Sequence, residues 1–458
     1  MATVSVPAST AVLEFVQTSA SGDFGLRCLD YSITTITGQP RTAGKNVVQC
    51  KLTADVAVVA STVFSGSTAG GTTTANAGLD PSGMTYNGTA FADNSSNSVH
   101  YANLNCTAIT NTTQTVSIFL GRGTGANNRY VRVGYYTVIG LTNGFYTDVD
   151  LQLGTASALG VNGNATGTSV SITQVPGGYV VKMTGKVSSA LASAPLIIIN
   201  SCSAAGTTTY LGTSSQCFIY DRYAVVTASS IPDVTFNVDT DTGWLDDDLV
   251  CIAATTRTRT DCSIWPLNGT AGSSSFASVP VSFSPHSGTA PTQAEVGLLT
   301  RNVKLRSTNA AWITYVYVTP LATFTASWAE FYYVGFNASS RFGLTFDAGS
   351  PANTKSVTYC SIHDTQSHGV VIAQNAATSI GANFVFSNNV IWNSATNPAF
   401  YMGAVTDTDW VIDSNLIIRP GIGANSHGCQ LLDLSGTFTN NTVVGATFTG
   451  ILLAEVAP

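Results

Sequence analysis

Four residues late in the chain have the types that acid–base chemistry needs: Arg341, His363, Asp364 and His368. A histidine titrates near neutrality, an adjacent carboxylate orients it, and a guanidinium holds an acidic group. Asn337 and His363 each stand six residues before a glycine, Gly343 and Gly369, and Arg341 falls one position before the equivalent of His368. This spacing predicts that the four meet at one edge of two stacked coils, where they would bind or cleave an acidic glycan. A polar turn ladder on the rim of a solenoid uses the same residue types, so both readings stand.

Two further groups have chemical content. Asp246, Asp247 and Asp248, with Asp239 and Asp241 upstream, place five carboxylates within ten residues. Oxygen ligands of this kind suit Ca²⁺, although the spacing fits no EF-hand loop, and a solvated acidic turn is the alternative. No other cofactor is expected. Glu295 and Arg301 flank Gly297-Leu298-Leu299 and are expected to pair where the chain enters its last structural region. The chain carries no nucleophile elbow, HExxH, P-loop or dinucleotide fingerprint.

The elements that must position these residues repeat. Tyr333-Val334-Gly335-Phe336, Tyr359-Cys360-Ser361-Ile362, Asn388-Asn389-Val390-Ile391, Ser414-Asn415-Leu416-Ile417 and Asn440-Asn441-Thr442-Val443 recur with turn residues between them. Taking Val334, Cys360, Asn389, Asn415 and Asn441 as equivalent gives steps of 26, 29, 26 and 26 residues. Runs such as Phe384-Val385-Phe386 and Val390-Ile391-Trp392 are β-formers without helical periodicity. Three short strands and three turns per unit describe one coil of a right-handed parallel β-helix. Asn389, Asn415 and Asn441 are predicted to form an internal amide ladder. The extra residues of the longest step are placed within Gln374–Ala382.

Composition narrows the function classes. Charged residues make up 9% of the chain and hydrophobic residues 44%, so Ser, Thr, Asn and Gly stand where charge usually does. A net charge of −7 and the absence of a basic stripe argue against nucleic acid as a partner. Met1–Pro7 lacks a basic segment followed by an apolar one, so no export signal is expected. No apolar run is long enough to span a membrane. Nine cysteines without a CxxC pair are read as buried free thiols, with Cys251/Cys262 and Cys202/Cys217 the pairs to consider in an oxidising medium.

Four regions follow in order. Residues 1–75 form an N-terminal β-segment, read as an anchor or as an extra layer on the next domain, and end in a Gly/Thr-rich linker over Gly66–Thr74. Residues 76–228 alternate strands and turns as a jelly-roll-like sandwich. Residues 229–330 form a β entry region, and residues 331–458 the parallel β-helix.

Within the second region, Asp80-Pro81-Ser82-Gly83, Thr115–Phe119, Asp150–Thr155, Val175–Tyr179, Thr209–Gly212 and Phe218–Tyr220 follow in an order that resembles the lectin-like sandwich modules of bacteriophage tail and head-appendage proteins. That family often has Gly-Trp-Tyr where this chain has Gly177-Gly178-Tyr179, so a sugar-stacking Trp is missing. Ala294–Val303, with Cys360–His363 and Asn388–Trp392, resembles the G8/β-helix family that includes cell-surface hyaluronidases, across roughly residues 232–420.

Together these readings predict an all-β protein, a jelly-roll-like sandwich followed by a right-handed parallel β-helix. The resemblance to phage modules implies a structural virion protein, a tail fibre, tailspike or capsid-surface appendage exposed on the particle. It would be a homo-oligomer, a trimer by analogy with phage spikes, touching other virion proteins and host-surface polysaccharide. Tyr135, Tyr136, Tyr179 and Tyr220 are the aromatic candidates for glycan contact. A polysaccharide-degrading β-helix enzyme related to the hyaluronidases, and a cellular surface adhesin or filament subunit, are the alternatives.

Overall fold

A computed structural model describes residues 2–5, 11–15, 25–56, 68–78, 88–105, 112–125, 128–136, 143–175, 178–187, 196–226, 234–246, 248–256, 259–270, 274–278, 286–307, 314–336, 341–349, 352–372, 379–380, 384–403, 405, 409–421, 427–432 and 435–454. The chain divides into two compact units. Residues 1–57, 235–278 and 284–458 form one, and residues 58–234 with 279–283 form the other.

The first unit is a parallel β-helix built from three seven-stranded sheets. The first sheet stacks Ala2–Ser5, Ile33–Thr37, Thr323–Ser327, Lys355–Thr358, Val385–Ser387, Val411–Asp413 and Thr437–Thr439. The second stacks Ala11–Phe15, Val303–Ser307, Ala329–Tyr332, Ser361–Thr365, Val390–Ser394, Leu416–Ile418 and Thr442–Val444. The third stacks Leu26–Cys28, Val316–Val318, Leu344–Phe346, Val370–Ile372, Phe400–Met402, Cys429–Leu431 and Ile451–Leu453. Alternate side chains of each strand point inward, so Leu305, Phe331, Ile362, Ile391 and Ile417 share one buried core with Phe324, Phe346, Phe384 and Phe386.

This pairing moves the boundaries read from the sequence. Residues 2–37 are not a separate β-segment: Ala11–Phe15 pairs in parallel with Val303–Ser307, Leu26–Cys28 with Val316–Val318, and Ile33–Thr37 with Thr323–Ser327. The second coil is interrupted after Thr37, and residues 38–302 leave the solenoid before it resumes at Val303. Nothing in the N-terminal sequence marks partner strands that lie almost three hundred positions away.

The turns between the first and second sheets carry the amide ladder. Trp328, Tyr359, Asn388, Ser414 and Asn440 adopt positive φ between 52° and 56°, and each is followed by a ladder position. Asn415 Oδ1 accepts from Asn389 N at 2.9 Å and Asn389 Nδ2 at 3.0 Å, while Asn415 Nδ2 donates to Phe386 O at 2.9 Å. Asn441 repeats the pattern one coil on, and Asn389 Oδ1 accepts from Cys360 N. The first equivalent is not Val334 but Ala329, because Phe331 pairs with Ile362. Tyr333 belongs to a second turn, with Asp364, Asn393, Arg419 and Gly445, also at positive φ. The loop expected to absorb the extra residues lies largely outside the described residues.

An antiparallel sheet formed by Val234–Asn237, Ser275–Ser278, Ser263–Thr270, Leu249–Ile252, Glu295–Leu298 and Gln49–Lys51 occupies most of the interruption that belongs to this unit. It packs on the outward face of the second solenoid sheet: Cys251, Ile264 and Leu299 share a cluster with Val390, Trp392, Leu416 and Ile418. Gly297 sits where a Cβ would lie 2.9–3.1 Å from Val390, Leu416 and Cys251, so the two layers meet too closely there for a side chain.

The second unit is an antiparallel sandwich of one seven-stranded and one six-stranded sheet. Val116, Ile118, Val133, Phe145, Val181 and Ile199 fill the space between them. The Gly/Thr-rich stretch is not a linker: Gly71–Gly78 pairs with Gly88–Asp93, since the threonine run is a strand former once it has a partner.

Candidate functional site

The outward face of the second solenoid sheet gathers ionisable and aromatic side chains from four coils. Lys304, Glu330 and Ser361 stack in one column, and Tyr332, His363 and Trp392 in the next, as the parallel register requires. Glu330 is 5% exposed and His363 2%. Glu330 accepts from Arg301 N at 2.9 Å and pairs with Lys304 Nζ at 2.9 Å. His363 Nε2 lies 3.4 Å from Glu330 Oε1, an ion-pair distance without an aligned hydrogen bond. Its Nδ1 is 2.9 Å from Asp364 Oδ2, and Asp364 Oδ1 accepts from Asn393 Nδ2 at 2.7 Å. The imidazole stacks on Tyr332 at 4.6 Å, and Tyr332 on Tyr333 at 3.7 Å.

Electrostatics locks this group together. Burial favours neutral His363, but the Asp364 and Glu330 carboxylates overcome it and raise its pKa. Burial pushes Glu330 toward neutrality, yet His363 and Lys304 hold its carboxyl down at about 2. Arg301, buried on all sides, donates Nε to Tyr359 O at 2.7 Å and Nη1 to Leu298 O at 3.0 Å, and lies 5.4 Å from the Trp328 ring centroid. Desolvation pulls its guanidinium down to about 10. A histidine enclosed between two carboxylates and a tyrosine ring holds charge inside the wall; it has no open side from which to pass a proton to a substrate.

The other sequence candidates are placed apart. His368 does not join His363: its ring lies edge-on to Phe342 at 4.6 Å and to Tyr401 at 5.9 Å, and burial lowers it to about 4. Arg341 precedes Phe342, which the register sets opposite His368, so the offset counted from the glycines holds. The other half of that count does not, since His363 is matched by Tyr332. Asp248 turns inward to Arg41 and accepts from Leu245 N at 2.7 Å. Burial raises its carboxyl against the pull of that amide and of Arg41.

Asp246 is exposed, Asp239 accepts from Lys51 N, and Asp241 pairs with Lys45; Asp247 lies outside the described residues. Among the described residues no group of three His, Cys, Asp or Glu side chains could hold a metal ion. Glu295 pairs with Lys51 at 3.5 Å and not with Arg301, because the strand register puts Glu295 opposite Lys51.

The tyrosines chosen for sugar contact are not surface platforms. Tyr135 and Tyr220 sit in the sandwich core, and Tyr136 packs with Leu196 and Ile198 on the opposite face of its sheet. Only Tyr179 is partly open, and it too packs against the core. Eight described cysteines are buried free thiols, including Cys202, Cys217, Cys251 and Cys262.

Glu330, Lys304, Tyr332 and Arg301 as a buried network escaped the sequence reading. The available signal was alternation: Val303–Ser307 and Ala329–Tyr332 place a charged residue at the same outward position of successive coils.

A comparison with known protein families returns no match, and a comparison with curated proteins returns none either. Among solved structures, a catalytic-domain variant of a GH87 alpha-1,3-glucanase in complex with nigerose is 9% identical, with a TM-score of 0.21 over 84% of this chain and 69% of that one. The Agl-KA catalytic domain is 9% identical, with a TM-score of 0.24 over 88% of this chain and 98% of that one. Overlap this low carries no inference about activity.

Proposed function

We propose that this chain is a non-catalytic structural protein of a bacteriophage particle whose solenoid side adheres to host-surface polysaccharide. The observation that carries the adhesive reading is the outward face of the first sheet. Thr37, Ser327, Thr358, Ser387, Asp413 and Thr439 fall in one column, one per coil, and Thr35, Thr325, Ser356 and Thr437 fall in the next, where Val385 and Val411 stand between Ser356 and Thr437; all are partly or fully exposed. Strand stacking spaces these groups ~4.8 Å apart. Threonine side chains have few rotamers to lose, so hydroxyls presented this way bind at small entropic cost. A polysaccharide laid along the stack meets a donor or acceptor at every coil and a single carboxylate, Asp413.

The non-catalytic reading rests on the closure of the His363–Glu330 network. The phage assignment rests on the sequence resemblance of the sandwich.

The test is retention on host-surface polysaccharides, with Thr358→Arg/Ser387→Arg as the altered face. Retention of the parent chain and a loss of about tenfold in the double variant are expected, from two hydroxyl contacts at roughly 0.5–1.5 kcal/mol each. Equal retention contradicts the assignment of the face. Release of oligosaccharides contradicts the non-catalytic reading. Finding the chain only as free protein, never in purified particles, contradicts the phage assignment.

A further inference from the structure

In the sandwich unit, one row of side chains crosses four strands on the outer face of the seven-stranded sheet. The registers set Tyr101 opposite Asn200, Asn200 opposite Arg132, and Arg132 opposite Asp148. Cross-strand neighbours of this kind stand about 5 Å apart at Cβ, so the four side chains form a continuous line. Arg132 holds Asp148 at both oxygens, Nε donating to Oδ1 at 2.8 Å and Nη2 to Oδ2 at 3.0 Å. Its guanidinium also lies 4.3 Å from the Tyr146 ring centroid. Tyr101 and Tyr146 are half-buried and pack on an apolar floor of Tyr136, Leu196 and Ile198. The exposed turn 203–207 forms a rim at the Arg132 end. A Cβ on its Gly206 would lie 3.5 Å from Arg132 Nη2 and 3.8 Å from Asp148 Oδ2.

Asn200 is the anomaly in this row. It is fully buried, yet neither its Nδ2 nor its Oδ1 has a hydrogen-bond partner among the described residues. A buried amide with both ends unmade is costly, and such a group calls for a bound ligand or water. Packing does not account for it. The core is filled by Ile197 and Ile199 of the same strand, and a leucine at position 200 would extend the apolar floor without that cost.

The row offers two paired sets of donor and acceptor, the Asn200 amide and the Arg132–Asp148 pair, beside two tyrosine rings. The ion pair cancels its own charge, so the row does not select an ion. A pyranose ring carries hydroxyls that both donate and accept, and C–H faces that pack on aromatic rings. A peptide amide would satisfy one of the two sets and leave the other unused.

We propose that Asn200, Arg132, Asp148, Tyr101 and Tyr146 form a site for one neutral sugar ring, with the turn 203–207 as its lid. Thr207 N donates to Ala204 O at 3.0 Å and Ser203 N to Thr207 O at 3.3 Å, so the turn is closed on itself and lifts as one piece. The site is separate from the hydroxyl face of the solenoid and does not rest on the adhesive reading. A single ring binds at about millimolar strength, so the site selects a sugar and adds little to retention along a polymer.

The full-length chain is observed by saturation-transfer NMR with the methyl glycosides of glucose, galactose, mannose and N-acetylglucosamine as probes. N-methylacetamide stands for a peptide amide, and glycerol for a polyol without a ring. At least one glycoside is expected to saturate at about millimolar concentration. Asn200→Leu should weaken it by about tenfold or more while keeping the thermal midpoint of the parent, and Asp148→Asn by several-fold. Asp148→Asn decides the matter if Asn200→Leu does not fold. Thr358→Arg/Ser387→Arg should leave the glycoside affinity unchanged, which separates this site from the solenoid face. Absence of saturation by every glycoside, which leaves Asn200 to an ordered water, overturns the proposal. Undiminished affinity in the folded variants, or glycerol or N-methylacetamide binding as tightly as the glycosides, overturns it too.

Discussion

Asn415→Ala is expected to lower the stability of the solenoid unit by about 3–5 kcal/mol. The residue is 1% exposed and sits in the middle of the amide ladder. Its Oδ1 accepts two hydrogen bonds from Asn389, and its Nδ2 donates to Phe386 O and to Asn441 Oδ1. Alanine removes all four and strands buried partners on the coils to either side. Each buried group left unmade costs about 1–3 kcal/mol, and neighbours in one ladder do not add independently.

Thr439→Ala, at an exposed position where the hydroxyl bonds only the surface residue Asp413, should cost under about 1 kcal/mol. Urea unfolding followed by circular dichroism gives both values. A loss below about 1 kcal/mol for Asn415→Ala would mean that the ladder is not what fixes the register of the coils.

The second large effect concerns Glu330. Glu330→Gln removes the carboxylate that Lys304, Arg301 N and His363 share, and breaking a buried pair on one side costs about 3–5 kcal/mol. The pH dependence has a definite sign. Glu330 has its pKa lowered to about 2, against ~4.3 for a free glutamate, so its contribution is present above ~4.3 and is lost as pH falls through about 2. His363 has its pKa raised above the ordinary ~6.5, so its contribution is full below ~6.5 and is lost as pH rises through the folded value.

Both contributions coexist between ~4.3 and ~6.5, where the parent chain should be most resistant to urea. In Glu330→Gln the acid limb should flatten, and the alkaline limb should shrink because His363 keeps only Asp364. Parallel pH profiles in the two proteins would show that the pair is not coupled in solution.

The parts of this fold that could be read from sequence are those with a local signature. Asn389, Asn415 and Asn441 each follow a residue that can sit at positive φ, so turn chemistry and ladder coincide in the sequence. Tyr333 fooled the count because the second turn demands the same backbone conformation, while the true first-turn position, Ala329, has no amide. In the sandwich, the strand Tyr130–Tyr136 pairs with Gly144–Asp150, which stops before Leu151. Asp150 Oδ1 accepts from Gln152 N and Leu153 N and turns the chain there.

Residues whose role depends on register across coils were hidden. Glu330 meets Arg301, Lys304 and His363 only after stacking, and residues 2–37 find their partners beyond a long excursion. Burial of Tyr135 and Tyr136 was equally hidden, since both faces of their sheet are covered.

We propose that the solenoid strands of residues 2–37 and 303–453, with the antiparallel sheet that covers them, form one self-sufficient unit that carries adhesion, with residues 58–234 inserted in its sequence. The chain leaves and re-enters the solenoid unit at neighbouring points: Thr53 N donates to Asn237 O at 2.9 Å, and Leu52 bridges Val238. Residues 58–233 can therefore be replaced by a short Gly/Ser linker. The account expects the shortened chain to show cooperative unfolding of β-structure and to be retained on polysaccharide as well as the parent. A shortened chain that is unfolded, or folded but no longer retained, would contradict it.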